Sequence, residues 1–259
     1  MTDDELLTED RGGIRILTLN RPADRNAAST ALLFRLTQLM RDLAHDENIS
    51  ALILTGAGKA FSAGGDFKHF VATASDPAVA RETIDNGRAF VRAMLDVPIP
   101  VIAAVNGAAV GFGATLLALS DIVVMADTAF IAEPHANVGL VIGDGISVTW
   151  PLLMSMHKAK ELVFTGDRIY AAEAIACGLA NKAVAPESLM AEALAMAEKI
   201  VAQPRSALVG SKQLLNMQSK ALMDTVLRRQ MELQFDQTQG PDHRRIVQSL
   251  IDAQKRNQR

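Results

Sequence analysis

The stretch that decides the fold is Val101 to Ile122, VIAAVNGAAVGFGATLLALSDI, read together with Phe61 to Asp66, FSAGGD. In the longer stretch an almost wholly apolar segment reaches an Asn106-Gly107 turn and then a glycine-spaced helix start at Gly111 and Gly113. The first N–H groups of a helix have no partner inside the helix and lie at the positive end of its dipole. The pattern therefore predicts a buried strand, a tight turn and a helix whose first turn offers backbone donors to a developing oxyanion.

The shorter stretch adds a second turn of small residues, Ala63-Gly64-Gly65. Glycine adopts backbone conformations closed to other residues and lets a ligand approach the main chain closely. We expect this turn to bring another N–H group to the same point. The alternative is that the glycines of both turns only permit close packing.

Composition limits the class of protein. The chain has 259 residues, enough for a substantial core, and its interior must be aliphatic because 49% of the residues are hydrophobic and only 4% aromatic. A net charge of −3 gives no reason to expect nucleic acid or an anionic membrane as a partner. The single cysteine, Cys177, is interpreted as a small buried side chain. The five histidines show no metal-ligand clustering, so no metal site is predicted.

The N-terminus and the apolar run indicate where the protein resides. The first residues, MTDDELLTEDRGG, are acidic and polar, whereas a secretory signal would be basic and then apolar. The run from Val101 to Leu119 is about as long as a membrane span, but prolines precede it and Asn106-Gly107 divides it. We therefore expect a cytoplasmic protein without a membrane span.

Strands and helices alternate through the first 200 residues, which favours right-handed crossovers between parallel strands. Ser29 precedes the first helix and is a candidate N-cap. Apolar periodicity predicts strands over Ile14–Leu19, Ala51–Thr55, Val101–Val105, Ile122–Met125 and Thr128–Ile131, and helices over Thr30–Ala44, Pro77–Leu95 and Gly111–Leu119.

The character of the chain changes after Leu189, beyond which no segment has a strand pattern. We predict an α/β core over residues 1–200, which carries the site, and a C-terminal all-helical region over residues 201–259. Four helical patterns occupy this end of the chain, over Leu189–Val201, Ser206–Met217, Leu222–Gln237 and Asp242–Gln254.

Taken together, these segments resemble the crotonase superfamily, which is the enoyl-CoA hydratase/isomerase family. The resemblance covers nearly the whole chain, and the order and spacing of its motifs are specific for the superfamily but not for one reaction. It implies an α/β fold, a crotonase-like spiral of ββα units with a C-terminal all-helical region used in trimer formation, often as a dimer of trimers. The matching segments are Leu19 to Pro22, Phe61 to Asp66, Val101 to Asp121, Gly139 to Val141 and Leu162 to Leu179.

The resemblance also implies the substrate and its contacts. An acyl-CoA thioester would place its oxyanion or enolate against the backbone N–H groups of Gly65 and Phe112. Coenzyme A then comes as part of the substrate, and no separate cofactor is expected. Arg25 and Lys59 could meet its phosphates, the alternative for each being an ordinary solvated surface residue. Implied substrate or coenzyme A contacts are Arg25, Ala27, Lys59, Ala63, Thr115 and Lys255.

The main departure from the family concerns the acid and the base. Family hydratases use two glutamates, and Thr115 and His135 stand at those two positions here. A threonine hydroxyl does not exchange protons near neutral pH as a carboxylate does, so the two-glutamate machinery for adding water is absent.

A histidine and an aspartate are the candidate replacements. A histidine side chain ordinarily titrates near neutrality, and Asp144, between two glycines, could orient the ring of His135. Their spacing resembles the diketone-hydrolase branch of the superfamily, typified by oxocamphor hydrolase, although that branch has a further histidine where this chain has Gly113. The alternative is a hydrogen-bonded core histidine and a turn aspartate.

Three functions follow from these observations. The favoured one is an enoyl-CoA hydratase/isomerase family enzyme that transfers a proton or hydrolyses an acyl-CoA thioester with His135 and Asp144. The second is a C–C bond hydrolase of a cyclic diketone. The third is a catalytically silent acyl-CoA binding protein, which the loss of both glutamates favours and the polar set of Glu133, His135 and Asp144 disfavours.

Overall fold

The computed structural model describes residues 5–143 and 145–257. Short 3₁₀ helices lie at Pro22–Asp24, Ala136–Val138 and Pro186–Ser188. The other elements of the described chain are, in order, β1 (Leu6–Arg11), β2 (Ile14–Leu19), α1 (Thr30–Leu43), β3 (Ala51–Gly56), β4 (Ala60–Ser62), α2 (Phe67–Ser75), α3 (Pro77–Asp96), β5 (Val101–Val105), β6 (Ala108–Val110), α4 (Phe112–Ala118), β7 (Ile122–Ala126), β8 (Phe130–Ala132), α5 (Ile146–Leu153), α6 (Met156–Thr165), β9 (Ile169–Tyr170), α7 (Ala171–Cys177), β10 (Lys182–Val184), α8 (Leu189–Val201), α9 (Arg205–Thr238) and α10 (Pro241–Asn257).

The strands form two sheets. The larger has the order β1-β2-β3-β5-β7-β10, and all its neighbours are parallel except the β1-β2 pair. The smaller has the order β4-β6-β8-β9, with only β8 and β9 antiparallel. Along the chain, each of β3, β5 and β7 in the large sheet is followed by a short strand in the small sheet and then by helix. This is a spiral of ββα units, as the family resemblance implied.

The central strands of the large sheet, β3, β5 and β7, are buried on both faces, which explains why they are nearly continuous apolar runs. In β3, Leu52 and Leu54 belong to the main core with α1, α3 and α4, while Ile53 belongs to the opposite face. That second face is covered by α8 through Leu189, Ala193 and Ala197.

Most predicted elements of the core are confirmed. Strands Ile14–Leu19 and Val101–Val105 have the predicted bounds, and the Ser29 hydroxyl accepts the Leu32 N–H at 3.0 Å as the N-cap of α1. Strands β4 and β6 were missed because three residues are too few to show a period. Strand β1 was missed because an exposed edge strand needs no alternating apolar face: only its first residue is buried.

The C-terminal prediction is partly wrong. The segments Ser206–Met217 and Leu222–Gln237 form one helix of 34 residues, α9, rather than two. The intervening residues contain neither glycine nor proline, so nothing ends the helix. From Leu189 to Asn257 the described chain is helical without a strand, as expected. The boundary at residue 200 stays a prediction.

The C-terminal helices pack on the body of the same chain. Helix α9 contacts α3 and α5, and α10 contacts α2 and the 3₁₀ helix at Ala136–Val138. Within the described residues, no helix combines the length and the apolar character that a bilayer crossing requires.

Candidate active site

A cavity of about 350 Å³ lies where the ends of strands of the smaller sheet meet α1, α2, α3 and the C-terminal helices. Its wall includes both glycine turns, and apolar side chains make up much of the remainder. The residues that line the cavity include Ala63, Gly64, Gly65, Asp66, His69, Phe70, Gly111, Phe112, Pro134, His135, Val138, Gln234, Thr238 and Leu250.

The first turn leads from β6 into α4 through Gly111. Its φ of 50° and ψ of −106° are accessible to glycine but strained for residues with a side chain. The Gly111 N–H donates to the Ala132 carbonyl at 3.0 Å, which ties the turn to β8. The next N–H, that of Phe112, makes no hydrogen bond to another described residue.

The second turn follows β4. Gly64 has a φ of 102°, and its carbonyl accepts the Ala28 N–H at 2.7 Å while the Ala63 N–H donates to the Arg25 carbonyl at 2.9 Å. The Gly65 N–H, like that of Phe112, has no hydrogen-bond acceptor among the described residues.

The two turns pack side by side, and the glycines play different parts in this packing. A Cβ added at Gly113 would lie 2.5 Å from the Ser62 carbonyl oxygen, so Gly113 permits close packing. A Cβ added at Gly65 would meet no atom within 4 Å, so close packing does not explain that residue. Both N–H groups that the sequence singled out therefore belong to residues of one cavity wall and are free to donate.

A charged cluster supports the second turn. Asp66 caps α2 by accepting the Lys68 N–H at 2.9 Å and also accepts from the Arg21 guanidinium at 3.0 Å. Arg21 in turn donates to the Ala27 carbonyl at 2.6 Å. Burial raises the pKa of Asp66, but the hydrogen bonds from Arg21, Lys68 and His69 outweigh it and leave the pKa below its ordinary value. The contact between Arg21 and Asp66 was not predicted from the sequence.

His135 follows Pro134, three residues after the end of β8, and is partly buried in the cavity wall. Its Nδ1 atom contacts the carboxylate Oε1 of Glu133. Its carbonyl oxygen accepts N–H groups from Val138 at 3.1 Å and from Leu140 at 2.9 Å. Asp144 lies outside the described residues, so its contact with His135 stays a prediction.

Of the other residues predicted to contact the substrate, Ala63 lines the cavity. Among the described residues, Arg25, Lys59 and Lys255 are exposed and do not line it. Ala27 is 8% exposed, and its N–H donates to the Asp24 carbonyl at 3.1 Å. Thr115 is fully buried, and its Oγ1 has no hydrogen-bond partner in the described part of the chain. Their roles toward substrate stay predictions.

The C-terminal helices form part of the cavity wall, which sequence reasoning missed. Gln234 and Thr238 of α9 and Leu250 of α10 line the cavity. His243 of α10 is fully buried, and its Nδ1 is 2.7 Å from the Val138 carbonyl oxygen. From the sequence these helices were interpreted as an assembly surface, with Lys255 as an implied coenzyme A contact, but not as part of the cavity wall.

His69 of α2 also lines the cavity, although its place near the start of a helix would favour the surface. Its Nδ1 lies 3.1 Å from the Thr30 hydroxyl and its Nε2 lies 2.7 Å from the Thr83 hydroxyl. No group of three or more metal-binding side chains occurs in the described residues.

The two-sheet spiral, with its cavity between two glycine turns, is the crotonase fold. The family model for enoyl-CoA hydratase/isomerase matches residues 9–258. A short-chain-enoyl-CoA hydratase from Clostridium acetobutylicum is 32% identical over 251 residues, which cover 96% of this chain and 95% of that protein.

Solved structures agree with this result. The crystal structure of an enoyl-CoA hydratase/isomerase from Mycobacterium paratuberculosis is similar with a TM-score of 0.89 at 40% identity, over 95% of this chain and 98% of that one. An enoyl-CoA hydratase from Bacillus anthracis has a TM-score of 0.80 at 29% identity, over 87% and 90% of the two chains. The chain belongs to the enoyl-CoA hydratase/isomerase family and is an enzyme of the crotonase superfamily.

Proposed function

We propose that this enzyme acts on an acyl-CoA thioester, stabilises the resulting enolate or oxyanion with the Gly65 and Phe112 N–H groups, and moves a proton with His135. The observation that carries the proposal is that both residues with free N–H groups and the imidazole line the same cavity. The acyl-CoA part is supported by family membership and by the similarity to a short-chain-enoyl-CoA hydratase.

The oxyanion pair would act through position alone. When negative charge develops on the thioester oxygen, a donor already aimed at it needs no reorganisation, and one such donor is worth about 3 kcal/mol in the transition state. The two turns are fixed by hydrogen bonds to β8, Ala28 and Arg25, so both donors are preorganised.

His135 would supply the proton transfer that the two family glutamates supply elsewhere. An imidazole has an ordinary pKa near neutrality and serves as acid and as base. We favour proton transfer next to the thioester carbonyl, or hydrolysis, over simple hydration, because the position of the first glutamate holds a buried threonine. Asp144 is proposed to assist His135.

The remaining parts of the proposal concern coenzyme A and the assembly. Arg25, Ala27, Lys59, Ala63, Thr115 and Lys255 are proposed to contact the acyl-CoA, and the cytoplasm is the proposed location. A homotrimer or a dimer of trimers is proposed because α9 leaves large apolar side chains exposed, which a neighbouring subunit would cover. These are Leu214, Leu215 and Met217, at 71%, 79% and 63% exposure.

Incubation with a panel of acyl-CoA esters, with products read by mass spectrometry and binding by calorimetric titration, tests the function. We expect binding and turnover of at least one ester, and hydration of crotonyl-CoA below about 10 per second, the median turnover of enzymes. Binding of a cyclic diketone with no binding of any ester would overturn the proposal in favour of the C–C bond hydrolase. Ester binding with no turnover would favour a silent binding protein.

A further inference from the structure

Glu133 is a buried carboxylate with no role in the mechanism described so far. The residue is 1% exposed, and its side chain is completely shielded from solvent. Its Oε1 contacts Nδ1 of the His135 ring and lies 3.4 Å from the His135 backbone nitrogen. Its Oε2 has no hydrogen-bond partner among the described residues.

The segment that holds both side chains has little backbone freedom. Glu133 directly follows β8 and precedes Pro134, and a residue before proline is restricted to extended backbone. Pro134 fixes its own φ. His135 has helical dihedrals, a φ of −56° and a ψ of −42°, and its carbonyl holds two N–H groups of the following turn. The contact between carboxylate and ring is thus preorganised by the chain itself.

A carboxylate at this position is unfavourable for stability alone. Burying a charge costs free energy unless it is paired and fully hydrogen-bonded, and among the described residues one oxygen of Glu133 has no partner. A glutamine of the same shape would remove the charge while keeping an oxygen to accept from Nδ1. The advantage of glutamate must therefore come from its effect on the ring: a nearby negative charge favours the protonated imidazole.

We propose that Glu133 is the positioning residue of His135. A carboxylate only accepts hydrogen bonds, so Nδ1 donates, the proton of the neutral ring resides on Nδ1, and Nε2 is the basic nitrogen. When Nε2 takes a proton, Glu133 stabilises the imidazolium. Nε2 lies beside Gly143, where an added Cβ would be 3.2 Å away. The inference rests on the proposed function only in assigning proton transfer to His135.

The effect of Glu133 on the ring can be distinguished from the effects of other groups by a choice of variants. Gln234 of α9 also approaches Gly143, but its amide is neutral. The carboxylate of Asp144 lies outside the described residues, and an Asp144→Asn variant measures its part. Glu161, exposed on α6 and paired with Lys158, provides the matched control, Glu161→Gln.

The first test needs no substrate. The His135 signals are assigned in the NMR spectrum of imidazole groups by their loss in His135→Ala, and the pKa of the ring is followed by titration. Glu133→Gln should lower this pKa by about 1 to 3 units, the effect of removing an adjacent opposite charge, whereas Glu161→Gln should leave it unchanged. Glu133→Asp, which keeps the charge, should restore part of the shift. An unchanged pKa in Glu133→Gln, or a shift only in Asp144→Asn, would overturn the inference.

The second test uses an ester that the panel shows to be turned over. Glu133→Gln should lower kcat by about 10² to 10⁴ with KM nearly unchanged, and should move the pH profile of kcat in the same direction as the ring pKa. A normal kcat and pH profile would overturn the inference even if His135→Ala is inactive. If His135→Ala remains active, the proposed function fails instead, and the NMR titration still reports on Glu133.

Discussion

In the proposed mechanism, individual residues act either through the backbone or through the side chain. Gly65 and Phe112 of the cavity wall would contribute backbone N–H groups, and His135 would contribute an imidazole that contacts the buried carboxylate of Glu133. Because backbone N–H groups and side chains can be altered independently, substitutions of single side chains should separate proton transfer from substrate binding.

The first prediction concerns His135. His135→Ala should lower kcat on the accepted acyl-CoA ester by about 10² to 10⁴, the range for losing a positioned proton-transfer group. Steady-state kinetics measure the loss, and calorimetric titration should show that the ester still binds. His157→Ala, at an exposed position of α6, is the control and should keep full activity. Equal activity of the two variants would remove His135 from the mechanism.

The second prediction contrasts two glycines. Gly113→Ala should lower the free energy of unfolding by about 1 to 3 kcal/mol, because its methyl group would lie 2.5 Å from the Ser62 carbonyl oxygen and both segments are buried. Gly65→Ala should change it by no more than about 0.5 kcal/mol, because the methyl group meets no atom within 4 Å. Urea unfolding followed by circular dichroism compares them, and equal losses would contradict the packing described.

Whole elements are joined by contacts that no local pattern shows. Lys212 of α9 donates to the Ile99 carbonyl at 2.8 Å and to the Asp121 carboxylate at 2.6 Å, which fastens the helix to the start of β5 and β7. Burial lowers the pKa of Lys212, although the neighbouring Asp121 opposes the shift.

This contact gives the third prediction. Lys212→Ala should lower the free energy of unfolding by about 1 to 3 kcal/mol, because it strands the Ile99 carbonyl and a partly buried carboxylate. Lys220→Ala on the same helix removes an exposed ion pair with Asp96 and should cost less than about 0.5 kcal/mol. Chemical denaturation of both variants decides the matter, and a reversed order would show that α9 is held elsewhere.

At the level of helices and strands, the sequence predicted local features but not the contacts between distant parts of the chain. Apolar runs and capping residues are local, so β2, β5 and the N-cap Ser29 were found. The donor roles of Gly65 and Phe112, which the family resemblance implied, stay predictions. The side-chain pair of Glu133 and His135 was missed because its geometry depends on Pro134 and on the turn that follows. The part played by α9 and α10 in the cavity wall was missed because that packing joins residues about a hundred positions apart.

The whole molecule has an apolar surface that a single chain leaves uncovered. Leu214, Leu215 and Met217 are all more than half exposed on α9. Contiguous exposed apolar side chains of this size on a folded protein are typical of an interface.

The fourth prediction is therefore an assembly of three chains or a multiple of three. Light scattering coupled to size exclusion measures the mass, and Leu215→Glu should lower it because a charge would be buried against the neighbouring subunit. A clean monomer for the unaltered protein would refute the assembly. It would also count against Lys255 as a coenzyme A contact, because that contact is expected at the site of a neighbouring subunit.

The free N–H groups of Gly65 and Phe112 also bear on how such an enzyme changes during evolution. A main-chain donor is not encoded by any one side chain, and among the standard amino acids only proline removes it outright. Point mutations can therefore exchange the acids and bases around the cavity while the proposed main-chain donors persist. The donors are insulated from most substitutions because they do not depend on the identity of a side chain.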